Sequence, residues 1–262
     1  SMRINIKHTN NSKMKEEEVM DSTNCETEKK KIEEVRQLIL KEDPLSTMEL
    51  DDLCIRRFLR AREMDENKAS LMLLKYLKWK KTFYSNGRIS PSQVLNQISQ
   101  NKLFMQGFDK SGRPIGVLLG CRHFPANIDE SKRFVVYTLD RLSARLPEGI
   151  ETFVMIADLK NWSYANSDIR VGIEAFNIMQ NYYPERLHKA FVVHAPAIFM
   201  TVWKLLRPFV DKNTAKKIIF VDNKNVKSTL LEEIDESQLP ELYGGKLKLI
   251  PINDGDNDKA YQ

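Results

Sequence analysis

Hydrophobic residues follow a helical spacing in the first part of this 262-residue sequence. Between residues 28 and 87 they recur every three or four positions, which is typical of amphipathic helices. The pattern predicts helices around 32–39 and 50–61, and a longer third helix from Ala69 to a glycine cap near Gly87. We therefore expect a small all-helical domain at residues 28–87.

After Gly107, short apolar runs alternate with longer amphipathic segments. The short runs are continuously apolar, which favours strands of a parallel sheet buried on both faces. They are IGVLLG at 115–120, FVMIAD at 153–158, AFVVHA at 190–195 and KIIFVD at 217–222. The segments at 134–146, 169–183 and 198–210 are long enough to be crossover helices. This alternation predicts an α/β domain with a mostly parallel sheet at residues 88–252.

Both ends of the sequence are polar. Residues 1–27 carry almost no periodic apolar residues, so we expect a disordered tail there, and residues 253–262 form a second polar tail. Ser1 before Met2 looks like an expression scar, and no apolar core of a signal peptide follows it. The longest apolar stretch, 191–203, is shorter than the roughly 18 residues that a membrane-spanning helix needs.

The composition narrows the classes of protein. Lys and Arg outnumber Asp and Glu by 41 to 36, a net charge of +5 that is too dilute to indicate a nucleic-acid partner. Cys25, Cys54 and Cys121 are far apart in the sequence, which favours a reducing compartment over a disulfide framework. We therefore expect a cytoplasmic protein.

Sequence motifs give no support to catalysis. The chain lacks the glycine, serine, histidine and paired-cysteine signatures of dinucleotide, hydrolase and zinc chemistry. GFDKSGRP at 107–114 places Arg113 where a P-loop needs lysine, so a turn is the simpler interpretation. His188 and His194 have no carboxylate or cysteine at ligand spacing. We expect neither an enzyme, a cofactor nor a metal site.

Asp158, at the end of a predicted strand, suits a ligand contact or a turn cap equally well.

One segment has too few polar residues for a surface helix. In AIFMTVWKLLRPFV at 197–210 the polar residues Thr201, Lys204 and Arg207 lie three apart on one narrow ridge. The segment is therefore either sandwiched in a core or turns a second apolar face to a lipid or a membrane.

Charged and hydroxyl residues flank this segment on both sides. They are Glu185, Arg186, Thr214, Lys216 and Lys217. A phosphorylated, hydroxyl-rich head group would give them partners, and a plain salt-bridged surface is the alternative.

Several long motifs, in a fixed order from about residue 30 to 250, resemble the CRAL-TRIO family and its branch of Sec-fourteen-like phosphatidylinositol transfer proteins. They are DDLCIRRFLRAREMDENKA at 51–69, DKSGRP at 109–114, NYYPERLHKAFVVHAPAIF at 181–199, LLRPFVDKNTAKKIIFV at 205–221 and LPELYGGKL at 239–247. The resemblance implies a helical N-terminal part and an α/β lipid-binding domain. In that domain a mixed sheet floors an apolar pocket, which a gating helix from Ala197 to roughly Pro208 closes.

The resemblance also implies residue roles. The inositol-phosphate contacts of the family fall on Arg62, Glu185, Thr214 and Lys217, while Glu63 stands where the family often has a second basic residue. Tyrosine or hydroxyl residues of phosphatidylcholine-binding members are replaced at the positions of a second-ligand pocket, which here are Met105, Gly116, Phe153, Met155 and Met179. A buried phosphate without donors is costly, so we expect phosphatidylinositol binding with weak or no phosphatidylcholine binding. Flexible methionines would admit a second, more apolar ligand.

The expected function is non-enzymatic binding and transfer of phosphatidylinositol by a monomer that contacts membranes peripherally and presents lipid to a lipid kinase. Phe199, Trp203 and Phe209 are the expected gate and membrane contacts. The alternative is a hydrophobic-ligand sensor or scaffold that acts through a protein partner without significant transfer.

Overall fold

A computed structural model describes residues 5–46, 50–84 and 86–252, and the side chains among them from residue 24 onward. The chain divides into two compact units, Ser1–Phe83 and Tyr84–Gln262, so the division falls close to the predicted boundary at residue 87. The predicted polar tail at 253–262 lies outside the described residues.

The first unit is helical, as predicted. It contains α1 (Asn5–Glu42), α2 (Asp52–Ala61) and α3 (Glu66–Phe83). Val35 and Ile39 of α1, Phe58 of α2 and Leu73 of α3 are fully buried in one core. Asp51 caps α2 by accepting a hydrogen bond from the amide of Cys54.

Helix α1 begins much earlier than its apolar stripe. The structure differs here from the predicted disordered tail at residues 1–27, because α1 runs from Asn5. The sequence of α1 contains no Gly or Pro and is rich in Lys and Glu, which are good helix formers. The described side chains at 24–27 are exposed. Composition therefore did not predict the helical backbone of this segment.

The second unit is built on a five-stranded mixed sheet, which confirms the predicted α/β class. The strands are β1 (Leu103–Phe104), β2 (Ile115–Leu119), β3 (Phe153–Asp158), β4 (Leu187–Val193) and β5 (Ile218–Phe220). They lie in the order β1-β2-β3-β4-β5. β1 pairs antiparallel with β2, and the other pairs are parallel. The four parallel strands were predicted, whereas β1 is too short to leave a pattern in the sequence.

Helices pack around this sheet. They are α4 (Leu95–Ile98), α5 (Ile128–Ala144), α6 (Ile169–Tyr182), α7 (Phe199–Leu206), α8 (Lys212–Lys217) and α9 (Val226–Glu233). α5, α6 and α7 fall within the predicted crossover segments, except that α5 begins six residues before position 134. A single 3-10 turn, Arg207–Phe209, extends α7 through Pro208.

The two faces of the sheet have different neighbours. Val154 and Ile156 of β3 lie in a solid core with Val226 and Leu230 of α9. The alternate residues of β3 project from the opposite face, because side chains alternate along a strand. That second face floors a cavity.

Candidate functional site

An apolar cavity of about 410 Å³ lies within the second unit. Its floor includes Phe153, Met155 and Ala157 of β3, and its walls come from α5, α6 and α7. Apart from a few polar side chains, the lining is aliphatic and aromatic. A cavity of this kind is suited to hydrocarbon.

Helix α7 has two apolar faces, of which one lines this cavity. Phe199, Val202, Trp203 and Leu206 are inner-face residues. The Phe199 ring meets Trp162 edge to face with 5.2 Å between centroids, and Trp203 meets Phe220 at 5.4 Å.

The outer face of α7 is apolar and open to solvent. Met200 is 40% exposed, Leu205 53%, and Phe209 in the following turn 45%. Of the two interpretations of the 197–210 segment, the structure therefore supports a helix with a second apolar face. The expected gate residues therefore lie on different faces of the segment. Phe199 and Trp203 line the cavity, and Phe209 lies on the outer face. Sequence reasoning missed Met200 and Leu205.

Three of the four predicted head-group residues come together at the amino ends of β4 and β5. Lys217 Nζ lies 3.9 Å from Glu185 Oε2, and both side chains are about one-third exposed. Thr214 precedes Lys217 by three residues on α8, whose first turn is capped by Asp211. The next residue after Lys217, Ile218, lines the cavity. These residues, Glu185, Thr214 and Lys217, form what we call the amino-end site.

Glu185 adopts an uncommon backbone conformation. Its φ is +59°, in the left-handed region that a residue with a side chain seldom occupies. Strained residues concentrate at functional sites. The conformation holds Glu185 in the tight connection between α6 and β4.

Arg62 belongs to the first unit. It is the exposed C-cap residue of α2, and its Nη1 lies 3.4 Å from the carbonyl oxygen of Ala61. Its role in head-group binding stays a prediction.

The residues of the predicted second-ligand pocket differ in position. Phe153, Met155 and Met179 line the cavity. Met105 and Gly116 are buried but are not among the lining residues. A Cβ on Gly116 would lie 2.6 Å from Met155 Sδ, so the Met155 thioether occupies the space that a larger residue at 116 would need.

Polar side chains line the opposite end of the cavity, at the carboxyl ends of β2 and β3. Lys102, which is 2% exposed, lies with its Nζ 2.5 Å from Gln97 Oε1, 2.7 Å from Gln100 Oε1 and 2.9 Å from His123 Nδ1. His123 Nε2 in turn lies 3.7 Å from Asp168 Oδ2. Sequence reasoning missed this cluster, because its residues are scattered between positions 97 and 168.

Burial shifts the titration of two of these groups. It lowers the pKa of Lys102 to about 7, although Asp168 and Glu130 oppose the shift by attraction. Burial, together with repulsion by Lys102, lowers the pKa of His123 to about 4. His123 is therefore neutral at pH 7.

Asp158 is a structural residue at the end of β3. Its Oδ1 accepts a hydrogen bond from the amide of Lys160 at 2.9 Å and lies 3.1 Å from His194 Nδ1, and its Oδ2 accepts one from the Tyr243 hydroxyl at 3.0 Å. The turn-cap interpretation of Asp158 is therefore the one that the geometry favours.

Asp109, His188 and Glu233 bring potential metal-ligand atoms within 4.8 Å of one another. Arg113 pairs with Asp109 at 3.1 Å, and Lys189 pairs with Glu233. With a cation already at each carboxylate, the arrangement favours an ion-pair network over a metal site.

Among the described helices, none combines the length and apolar character needed to cross a membrane.

In this α/β domain the sheet floors an apolar cavity beneath a helix with two apolar faces. This arrangement agrees with a match to a known family of domains. The model of the CRAL/TRIO domain matches residues 98–245 of this chain. The chain belongs to the CRAL-TRIO family, as the sequence motifs indicated.

Similar proteins include a "SEC14 cytosolic factor" of Kluyveromyces lactis, 31% identical over 245 residues that cover 86% of this chain and 80% of the relative. A "phosphatidylinositol/phosphatidylcholine transfer protein" of Arabidopsis thaliana is 30% identical over 243 residues, 82% of this chain but 38% of that longer protein. The crystal structure of Sfh5 matches with a TM-score of 0.64 at 17% identity, covering 88% of this chain and 94% of Sfh5, and supports the fold alone.

Proposed function

We propose that this protein binds phosphatidylinositol and transfers it between membranes, with the acyl chains in the cavity and the inositol phosphate at the amino-end site. The observation that carries the proposal is the position of the Lys217–Glu185 pair, immediately beside the cavity lining at Ile218. Lysine supplies donors to a phosphate, and a carboxylate accepts hydrogen bonds from inositol hydroxyls. Arg62 is proposed as a fourth contact. The names of similar transfer proteins support this assignment.

Transfer needs a cavity because free lipid cannot leave a membrane at a useful rate. Two acyl chains with about 30 methylenes, at about 0.8 kcal/mol each, amount to roughly 25 kcal/mol of burial. An apolar cavity can replace the membrane interior as the environment of these chains. On this proposal α7 moves to admit the lipid while its outer face contacts the membrane.

We propose that phosphatidylcholine binds weakly. Phe153, Met155 and Met179 line the cavity without an N–H or O–H donor on any of the three side chains. A choline phosphate buried against these residues would lose its water and gain no hydrogen bonds. Presentation of bound phosphatidylinositol to a lipid kinase at the cytoplasmic face of a membrane is part of the same proposal, with no chemical step on the protein.

The first experiment is mass spectrometry of lipids extracted from the purified protein after incubation with a mixed-lipid membrane preparation. We expect phosphatidylinositol with little phosphatidylcholine. Abundant phosphatidylcholine would overturn the selectivity, and an apolar molecule without any inositol lipid would favour the sensor or scaffold.

The second experiment measures vesicle-to-vesicle transfer of labelled phosphatidylinositol by Lys217→Ala. Loss of a charge-assisted contact to phosphate predicts a fall of about tenfold or more in affinity, and a correspondingly lower transfer rate. Lys216→Ala is the matched control, since Lys216 is the exposed neighbour on the same helix. Equal effects of the two substitutions would mean that general positive charge, and not the amino-end site, is responsible.

A further inference from the structure

The ion pair between Glu185 and Lys217 does not by itself explain the backbone conformation of Glu185. Its φ is +59°, and a conformation of this kind persists only where the surrounding structure holds it. Lys217 Nζ lies 3.9 Å from the carboxylate and both side chains are partly exposed, so this pair contributes little to holding the backbone. Stronger contacts are found in the chain on either side of Glu185.

The chain after Glu185 is attached to the start of β3. The carbonyl oxygen of Arg186 accepts a hydrogen bond from the amide of Phe153 at 2.9 Å, and its Nη1 donates to the carbonyl oxygen of Glu151 at 3.0 Å. Strand β4 begins at the next residue, Leu187. Arg186 is therefore fixed by the sheet.

The chain before Glu185 is attached to α5 through two tyrosine hydroxyls. Tyr183 donates to Asp140 Oδ1 at 2.6 Å, Tyr84 donates to Asp140 Oδ2 at 2.7 Å, and the two hydroxyl oxygens are 3.2 Å apart. Burial, together with the charge of Asp140, raises the pKa of Tyr183 well above its usual value, so its hydroxyl remains a donor at neutral pH. Hydrogen bonds to a carboxylate are stronger than those between neutral groups. We call these three residues, Tyr84, Asp140 and Tyr183, the Asp140 network.

Little freedom remains between the two attachments. Helix α6 ends at Tyr182, and Tyr183 is its C-cap residue. The ring of Pro184 fixes its own φ and restricts the residue before it. Between Tyr183 and Arg186 lie only Pro184 and Glu185. The hydrogen bond of Tyr183 therefore helps to fix the direction in which the Glu185 carboxylate points.

The Asp140 network lies apart from the groups assigned to the lipid. Its three residues are not among the lining residues of the cavity, and they do not belong to the amino-end site. An influence of the network on a ligand would therefore act through the residues that it holds in place. Glu185, two positions after Tyr183, is the nearest of these along the chain.

We propose that the Asp140 network positions the Glu185 carboxylate for the hydroxyl groups of an inositol ring, and so sets the preference for an inositol head group over a bare phosphate. The inference rests on the proposed function, which assigns Glu185 to the head group. Inositol hydroxyls need an acceptor in a defined direction, whereas a phosphate is attracted to Lys217 whichever way Glu185 points. The network residues are positioning residues that do not touch the lipid.

Two soluble lipids with the same acyl chains test the proposal on the purified full chain. They are dioctanoyl phosphatidylinositol and dioctanoyl phosphatidic acid, which has the phosphate without the inositol hydroxyls, and their binding is measured by equilibrium dialysis. For Tyr183→Phe we expect phosphatidylinositol affinity to fall about fivefold, and phosphatidic acid affinity to change by less than about twofold. No loss, or an equal loss for both lipids, would overturn the proposal.

Tyr137→Phe is the matched control. Tyr137 is a buried tyrosine of α5, 3% exposed, and its hydroxyl accepts a hydrogen bond from Arg141 on the same helix at 2.6 Å. We expect this variant to retain the wild-type ratio of the two affinities. A change of that ratio as large as in Tyr183→Phe would mean that loss of any buried tyrosine hydroxyl has this effect, and would overturn the proposal.

A double-mutant cycle tests whether Tyr183 acts through Glu185. In Glu185→Ala the carboxylate acceptor is absent, so adding Tyr183→Phe should not lower phosphatidylinositol affinity further. A further fall of about fivefold, as large as in the wild-type background, would show that Tyr183 acts independently of Glu185 and would overturn the positioning role.

Hydrogen exchange in the lipid-free protein distinguishes failure of this proposal from failure of the proposed function. The amides of Glu185 and Arg186 should exchange about fivefold faster in Tyr183→Phe than in the wild type or Tyr137→Phe, and equal exchange would overturn the anchoring. Phosphatidylinositol binding with an unchanged lipid preference in Tyr183→Phe rejects only the role of the network. Absence of phosphatidylinositol binding by the wild type rejects the proposed function, and the role in inositol selectivity with it, while faster exchange would still support the anchoring.

Discussion

The amino and carboxyl ends of the cavity both carry charged groups, but water reaches them very differently. Lys217 and Glu185 at the amino end are 28% and 34% exposed and 3.9 Å apart. Lys102 at the carboxyl end is 2% exposed and is surrounded by acceptors within 2.9 Å. Exposed charges can exchange water for a charged ligand at little cost, whereas buried charges must be satisfied within the protein. The amino end therefore fits the proposed contact with a charged head group, whereas the buried lysine at the carboxyl end has its partners within the protein.

A charge exchange at the amino end should have the largest effect. Lys217→Glu replaces attraction for phosphate by repulsion, and we expect phosphatidylinositol affinity to fall about a hundredfold. Adding Glu185→Lys restores an ion pair of reversed polarity without returning lysine to position 217. The measurement is phosphatidylinositol binding by single and double variants.

The double variant separates a ligand site from a surface ion pair. A partly exposed pair contributes at most about 1 kcal/mol to the free energy of unfolding, so neither variant should unfold the protein. Binding that stays low in the double variant would assign the loss to Lys217 itself, whereas recovery would show that the site accepts the lysine and the carboxylate in exchanged positions.

The buried lysine should make stability depend on pH. Burial lowers the pKa of Lys102 from 10.5 to about 7, against the attraction of Asp168 and Glu130. Between these two values the unfolded chain binds more protons than the folded chain, so stability rises with pH in this window and falls as pH decreases towards 7. Relative to Lys102→Met, we expect the wild type to gain about 2 kcal/mol between pH 7 and pH 9.

Urea unfolding of both proteins at the two pH values measures this difference. His123 next to Lys102 titrates in a separate window, because its lowered pKa of about 4 confines its effect to acid pH. An identical pH response of wild type and Lys102→Met would show that Lys102 is solvated in solution, and the contrast between the two ends would fail.

The two faces of α7 allow the next test. Leu205→Ala with Phe209→Ala removes exposed apolar surface, and we expect phosphatidylinositol transfer to slow about three- to tenfold while equilibrium binding is unchanged. Phe199→Ala with Trp203→Ala removes cavity lining, so it should slow transfer and also reduce the amount of lipid bound. Unchanged transfer by the outer-face variant would reject membrane contact through that face, and unchanged transfer by the inner-face variant would reject the predicted gate.

The two ends of the cavity also differ in how well they could be predicted from the sequence. The strands and crossover helices of the second unit leave periodic patterns, and the amino-end residues lie within two long family motifs at 181–199 and 205–221. The polar cluster around Lys102 at the carboxyl end of the cavity leaves no such signal. Lys102, His123 and Asp168 are brought together by the antiparallel pairing of β1, a strand of two residues, and by the turns that follow β2 and β3.

The sequence also could not show which residues of the predicted second-ligand pocket line the cavity. Sequence position does not separate lining residues from residues that are merely buried. Met155 lines the cavity, whereas Met105, 1% exposed, is not among the lining residues. The structure supplies a matched pair of methionines that the sequence alone could not distinguish.

Met155→Thr should produce the smallest effect, a gain of phosphatidylcholine. One hydroxyl on the cavity floor gives the choline phosphate a single donor, and a neutral hydrogen bond contributes about 1 kcal/mol, so we expect bound phosphatidylcholine to rise about fivefold. Met105→Thr is the control, because its hydroxyl would be buried outside the cavity lining. Quantitative lipid extraction measures both variants. A gain only in Met155→Thr would support the proposal that missing donors in the cavity make phosphatidylcholine binding weak. An equal gain in Met105→Thr would instead indicate that loosened packing admits the lipid.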